Sequence, residues 1–149
     1  MESARDYNVI IVEDNKEFAE GLKHLIDTWS QYKVIDIVYD GTEIINHELL
    51  WLTNIVLMDV NMPNLNGIDA GKQVNFHFPD VKMIAITLNK EQVFLEDLVA
   101  AGFKGFVDKQ LIVEELAQVL QLVTGNKLAF PKDLVLTRVR REILNSERL

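Results

Sequence analysis

Three carboxylates, one hydroxyl and one amine stand where the sequence gives them chemistry to do: Glu13-Asp14, Asp59, Thr87 and Lys109. Each closes or follows a short apolar run: Val9-Ile10-Ile11-Val12, Ile55-Val56-Leu57-Met58, Lys82 to Thr87, and Gly105-Phe106-Val107 with Asp108 between. Asp14, Asp59, Thr87 and Lys109 are 45, 28 and 22 residues apart, so only the fold can gather them. Carboxylates about 4 Å apart repel by roughly 4 kcal/mol per pair at an effective dielectric of about 20, and such a cluster requires compensating positive charge. Lys109 supplies one such charge. An all-oxygen ligand set without His or Cys selects a hard dication, which assigns Mg²⁺, with Mn²⁺ as a substitute. The chemistry this permits is attack by a carboxylate on phosphorus to give an aspartyl phosphate. Asp59, after the most apolar run, is the nucleophile. Charge on the phosphoryl oxygens is neutralised by the metal and Lys109, and the Thr87 hydroxyl donates a hydrogen bond once phosphate arrives.

The elements that must position these groups alternate between β-branched runs and longer segments with apolar residues three and four apart. Strands are expected at Asn8 to Val12, Lys33 to Val38, Ile55 to Met58, Lys82 to Thr87 and Gly105 to Val107. Helices are expected at Lys16 to Ser30, Thr42 to Leu50, Ile68 to Phe78, Glu91 to Ala101 and Ile112 to Val123, with Phe78-Pro79, Ala101-Gly102 and Gly125 as stop signals. Regular βα alternation implies a doubly wound α/β fold on a five-stranded parallel sheet, whose ligand site lies beyond the carboxyl ends of the strands. A further helical pattern over Lys132 to Leu149, with Leu136, Val139 and Ile143 at spacings of three and four, predicts an extra C-terminal helix. The expected division is residues 1–125 as the phosphoacceptor unit and 126–149 as linker and terminal helix.

A length of 149 residues, 48% hydrophobic and 26% charged, suits one globular domain. With no cysteine there is neither a disulfide framework nor a thiolate metal site. No apolar run approaches the roughly 20 residues of a membrane span, and the start lacks a signal-peptide pattern, so a cytoplasmic location without membrane contact is expected. The net charge of −8 divides into +3 over residues 124–149 and −11 over residues 1–123. That acidic body argues against direct nucleic acid binding and favours cations and basic partner surfaces. His24, His47 and His77 fall in three different expected helices with no carboxylate or second His at ligand spacing, and are expected at the surface.

Glu13-Asp14, the run Leu57-Met58-Asp59-Val60-Asn61-Met62-Pro63-Asn64-Leu65-Asn66-Gly67, Thr87, and Gly105-Phe106-Val107-Asp108-Lys109 together closely resemble the receiver domain of bacterial two-component response regulators. The resemblance covers about residues 7 to 125 and rests on five separated elements in the right order. It implies a flavodoxin-like fold and phosphoryl transfer from the phosphohistidine of a sensor histidine kinase onto Asp59. It also implies Mg²⁺ held by Asp14, Asp59 and the backbone carbonyl of Asn61, with Glu13 acting largely through water. Thr87 and Phe106 match the family's switch pair: Thr87 would move toward the phosphate and Phe106 would turn inward, reshaping the partner-binding or homodimer face. The chain would thus be a switch and not an enzyme on metabolites, catalysing only its own phosphorylation and dephosphorylation.

Two departures stand out. Leu88 occupies the place of a small residue beside the switch threonine, where bulk would crowd the phosphoryl group, and Gln110 replaces the proline that often follows the lysine. Lack of that proline, together with Gly125 to Pro131, resembles the NarL/LuxR-type subgroup, whose receivers control transcription through a helix-turn-helix. Only 18 residues follow Pro131, too few for that output domain, which is expected either to lie outside these residues or to be lacking. Two other functions compete: a receiver-like interaction module that no longer depends on phosphorylation, motivated by Leu88, and a Mg²⁺-dependent aspartyl-phosphate phosphatase. The phosphatase needs an acid two residues after the nucleophile, where Asn61 stands.

Overall fold

A computed structural model describes residues 7–63, 66–134 and 143–144. Five strands, β1 (Tyr7–Val12), β2 (Tyr32–Val38), β3 (Ile55–Asp59), β4 (Lys82–Thr87) and β5 (Gly105–Asp108), pair in parallel in the order β2-β1-β3-β4-β5. Among the described residues three α-helices, α1 (Lys16–Asp27), α2 (Gly67–His77) and α3 (Gln92–Ala101), join successive strands, and α4 (Ile112–Thr124) follows β5. β1 sends the chain one way to β2, and β3 sends it the other way to β4 and β5. The sheet order therefore reverses between β1 and β3, the point at which open α/β sheets form a crevice at their carboxyl ends.

Strands covered on both faces explain the continuous apolar runs. Ile10, Val12, Val56, Met58, Met83 and Ala85 face α2 and α3, where Val74, Leu95, Leu98 and Phe103 complete one core cluster. Val9, Ile11, Ile55, Leu57, Ile84 and Ile86 face α1 and α4, meeting Leu22, Ile26, Leu116 and Leu120. Side-chain caps set two helix starts: Asn15 accepts the Phe18 N–H at 3.0 Å, and Asn66 accepts the Asp69 N–H at 3.2 Å. Gly102, at φ 97°, ends α3 as expected.

The helix expected over Thr42 to Leu50 does not form. In its place are two 3₁₀ turns, Gly41–Glu43 and Leu50–Leu52, with a succession of i to i−3 bonds such as His47 N–H to Ile44 C=O at 3.2 Å. Two polar side chains outcompete helix there. Asp40 accepts from both the Thr42 N–H (3.0 Å) and its hydroxyl (2.8 Å), and the His47 ring takes the Leu49 N–H at 3.1 Å. Ile44 and Leu50 are buried all the same, so the apolar spacing read as helical is satisfied by turns. The extra helix expected over Lys132 to Leu149 lies for its greater part outside the described residues. Residues 132–134 and 143–144 are helical, and Ile143 and Leu144 are exposed.

Candidate functional site

The carboxyl ends of β1, β3, β4 and β5 bring the five sequence-predicted groups to one rim. Asp59 is the last residue of β3, and its strand neighbours place it against Ile86 of β4. Its Oδ1 accepts the Asn61 N–H at 2.8 Å, which folds the chain back after the strand, and its Oδ2 accepts from Lys109 Nζ at 2.8 Å. Glu13 follows β1 directly and is wholly buried, with Oε2 accepting the Asn15 N–H at 3.1 Å. Lys109 Nζ reaches Glu13 Oε1 at 2.6 Å and lies 4.6 Å from the centre of the Phe18 ring. The approach to Glu13 is an ion pair off the hydrogen-bonding direction, so this buried oxygen has no hydrogen-bond donor among the described residues. Asp14 is exposed at the mouth of the crevice, and one oxygen from each of Glu13, Asp14 and Asp59 lies within 4.8 Å of the others.

Charge governs this arrangement. Burial pushes the Glu13 carboxyl above its ordinary value, and the Asp59 charge adds to that, while the Lys109 ammonium and the Asn15 N–H pull the other way without prevailing. Burial lowers the Lys109 pKa, but its hydrogen bond to Asp59, its close ion pair with Glu13 and their negative charge outweigh this and hold it above the usual lysine value. The site is thus a half-buried lysine between two buried carboxylates with a third at the entrance. One ammonium against three carboxylates leaves room for a dication. The donor set fits a hard one: all oxygen, closely spaced, with one buried oxygen short of a donor.

Thr87 is wholly buried at the end of β4, opposite Asp108 in β5. Its hydroxyl does not bond to Asp59. It donates to Asn61 Oδ1 (3.3 Å) or to the Asn89 carbonyl (3.2 Å), and accepts the Asn89 N–H at 2.9 Å. Leu88 is 56% exposed, and its N–H also donates to Asn61 Oδ1, at 3.2 Å. The Asn61 side chain thus ties the segment after β4 to the turn after β3, a role beyond the backbone carbonyl that the sequence singled out. Phe106 is partly buried in β5, its ring 5.7 Å from that of Phe130. Gly67 sets the start of α2 close to the site, since a Cβ there would lie 2.7 Å from Val60 Cα. Asn64 and Leu65, within the same turn, lie outside the described residues.

Sequence reasoning missed a second ion pair behind the lysine. Asp108 is buried, caps the turn Lys109–Leu111 by accepting the Gln110 N–H at 3.0 Å, and meets Lys90 Nζ at 2.8 Å. Lys90 holds the Asp108 carboxyl below the usual aspartate range, with the Gln110 N–H contributing, and is itself raised by the same hydrogen bond. The strand-end position of Asp108 was a signal for this; Lys90, in a loop, gave none. A correction concerns His47, expected on a surface helix without a carboxylate. Its side chain is largely buried outside any helix and contacts Asp36 Oδ2 through Nε2 at 2.6 Å. His24 and His77 are exposed, on α1 and α2.

The family model of the response regulator receiver domain matches residues 9–121. The chain belongs to that family. It is a receiver domain of two-component signalling, and its relatives are LuxR/NarL-type response regulators. Among them, Response regulator GacA of Pseudomonas viridiflava is 27% identical over 142 residues, 93% of this chain and 66% of that protein. Transcriptional regulatory protein DegU of Brevibacillus brevis is 24% identical over 83% of this chain. The receiver chain spans 53% of the length of DegU and 58% of that of Transcriptional regulatory protein YdfI of Bacillus subtilis, which is 32% identical over 124 residues. Solved structures share the receiver fold. The non-phosphorylated receiver domain of RcsB from Escherichia coli superposes with a TM-score of 0.76 at 25% identity, covering 85% of this chain and 99% of that one. A LuxR-family response regulator from Aurantimonas sp. SI85-9A1 gives 0.78 at 22% identity, covering 92% and 98%. Among the described residues, no helix of this receiver is long and apolar enough to cross a membrane.

Proposed function

We propose that Asp59 accepts a phosphoryl group from the phosphohistidine of a sensor histidine kinase in a Mg²⁺-dependent reaction, and that the modified chain changes its binding surface. The observation that carries this reading is the seat of the Asp59 carboxylate at the sheet's reversal point, bonded to Lys109 Nζ at 2.8 Å with Glu13 and Asp14 oxygens within 4.8 Å. A carboxylate oxygen of Asp59 bonds to phosphorus as the phosphorus–nitrogen bond of the donor breaks, and the histidine nitrogen leaves with the bonding pair. Asp14, Asp59 and the Asn61 carbonyl would hold the cation, with Glu13 behind them. When bound, it supplies neutralisation of charge on the phosphoryl oxygens. Lys109, held protonated by its two carboxylate partners, orients the nucleophile and faces the incoming group. Thr87, whose hydroxyl now bonds to Asn61 and Asn89, donates to the phosphoryl group once it arrives.

Residues 1–125 form the phosphoacceptor unit of this reading and residues 126–149 the linker toward an output function, which in relatives named transcriptional regulators points to control of transcription. The chain acts catalytically on no substrate but itself. The test is labelling with acetyl phosphate and Mg²⁺: the native chain takes up one phosphoryl group, and an Asp59→Asn variant takes up none. Equal labelling of both rules out Asp59 as the acceptor. Partner binding that is identical for both under these conditions would favour an interaction module independent of phosphorylation.

A further inference from the structure

Lys109 carries its ammonium on a flexible four-carbon stem, so the position of that charge is only as definite as the backbone that holds it. This stretch of backbone lies just past the sheet. Pairing of β4 with β5 ends at Thr87 opposite Asp108, and Lys109 opens the 3₁₀ turn Lys109–Leu111. From there Nζ must meet Glu13 at 2.6 Å and Asp59 at 2.8 Å, at the ends of two other strands. A proline after the lysine would fix φ through its ring and bring no N–H to satisfy. Gln110 stands there instead, with a free torsion and a backbone donor in need of an acceptor.

Asp108 answers both needs. Its Oδ1 accepts the Gln110 N–H at 3.0 Å, which closes the turn over Lys109 from the residues on either side. Its own N–H donates to Glu115 Oε1 of α4 at 3.4 Å, and its Oδ2 takes Lys90 Nζ at 2.8 Å. The residue before the lysine is therefore tied to its own turn, to α4 and to the loop between β4 and α3. That loop is itself fixed beside the site, because the Leu88 N–H donates to Asn61 Oδ1 at 3.2 Å. The Asp108 side chain is 5% exposed, and a carboxylate so withdrawn from water needs its charge compensated. Lys90, with a side chain 54% exposed, supplies that charge while keeping much of its own hydration.

We infer that Asp108, held by Lys90, is a positioning residue for phosphoryl transfer: by capping the turn Lys109–Leu111 it sets the Lys109 ammonium against Asp59. This rests on the proposed phosphoacceptor function. Asp108 acts on neither the phosphoryl group nor the cation directly, and its whole effect passes through Lys109. Displacements of about an ångström are enough to slow a reaction that depends on alignment, so a loosened turn slows transfer. The groups that would hold the cation, on Asp14, Asp59 and Asn61, belong to other segments and stay in place.

The test follows the rate at which acetyl phosphate labels the whole 149-residue chain over a series of Mg²⁺ concentrations. Asp108→Ala is expected to label about tenfold more slowly at saturating Mg²⁺, with a half-saturating Mg²⁺ concentration no higher than that of the native chain. Asp108→Asn keeps an oxygen for the Gln110 N–H and is expected to come within about threefold of the native rate. Lys90→Met keeps the cap, leaves its carboxylate uncompensated and is expected to fall between the two. A merely structural part would lower the unfolding midpoint in urea and leave the labelling rate of the folded chain unaltered. Equal rates for the native chain and Asp108→Ala, a loss that excess Mg²⁺ restores, or a loss as large in Asp108→Asn as in Asp108→Ala overturns the inference and leaves the phosphoacceptor reading standing. A native chain that takes up no label, or no more than Asp59→Asn does, removes both at once. Should Asp108→Ala fail to fold, Lys90→Met decides, and a native rate in that variant overturns the inference.

Discussion

Lys109 links the chemistry of the site to the stability of the fold. It is the single ammonium bonded to both Glu13, which is wholly buried, and Asp59. Removing one partner of a buried ion pair leaves the other charge uncompensated, which costs a few kcal/mol. Lys109→Ala is accordingly expected to lower stability by about 2 kcal/mol in urea unfolding without divalent cations, and added Mg²⁺ is expected to recover more in the variant than in the native chain. The pair behind it gives a pH dependence with a definite sign. Lys90 depresses the Asp108 pKa below its ordinary 3.8, so the stabilisation is complete above that value and is lost as pH falls through the lower folded value. The same pair raises Lys90 above 10.5, so its contribution is complete below that value and is lost as pH rises through the folded one. Unfolding followed between about pH 2 and 5 should show a shallower loss for Asp108→Asn than for the native chain. Legibility at this scale followed strand ends: Glu13, Asp14, Asp59, Thr87 and Lys109 were readable because each ends or follows an apolar run. The Asn61 side chain, Lys90 and Phe130 were not, because their partners are set by how loops return across the rim.

Elements with one dominant signal were readable, and elements with two competing signals were not. β1 and β3 each carry a run of four apolar residues, Val9 to Val12 and Ile55 to Met58, with polar residues on both sides, and each strand lies where the sequence put it to within one residue. The segment between β2 and β3 also carries helical apolar spacing, yet its polar side chains bond locally to the backbone and hold 3₁₀ turns. His47 is central to that outcome. Its Nδ1 takes the Leu49 N–H, which puts the ring proton on Nε2, facing Asp36. His47→Ala is expected to cost about 1 to 2 kcal/mol, because the Leu49 N–H loses its acceptor and Asp36 its donor. Urea unfolding of the variant checks the size, and an increase in helical circular dichroism would show that the ring had been suppressing helix.

A parallel sheet buried on both faces gives the whole molecule two cores divided by one layer of backbone. Ile10 and Ile11 are adjacent, wholly buried, and belong to different clusters. Ile10→Ala and Ile11→Ala should therefore each cost about 3 to 4 kcal/mol in equilibrium unfolding. A sheet covered on one side only would show a large loss for one and little for the other. All five strands run in the same direction, so the reactive groups share one rim while the strand beginnings, Tyr7, Ile55 and Lys82 among them, form the opposite one. β3 contains five residues, which separates the two rims by roughly 15 Å at about 3.3 Å per residue. That exceeds the screening length of about 8 Å in physiological salt. Along the solvated surface, added negative charge at Asp59 is therefore weakened by salt before it reaches anything bound at the far rim, and displaced atoms are the other route by which news of it arrives there.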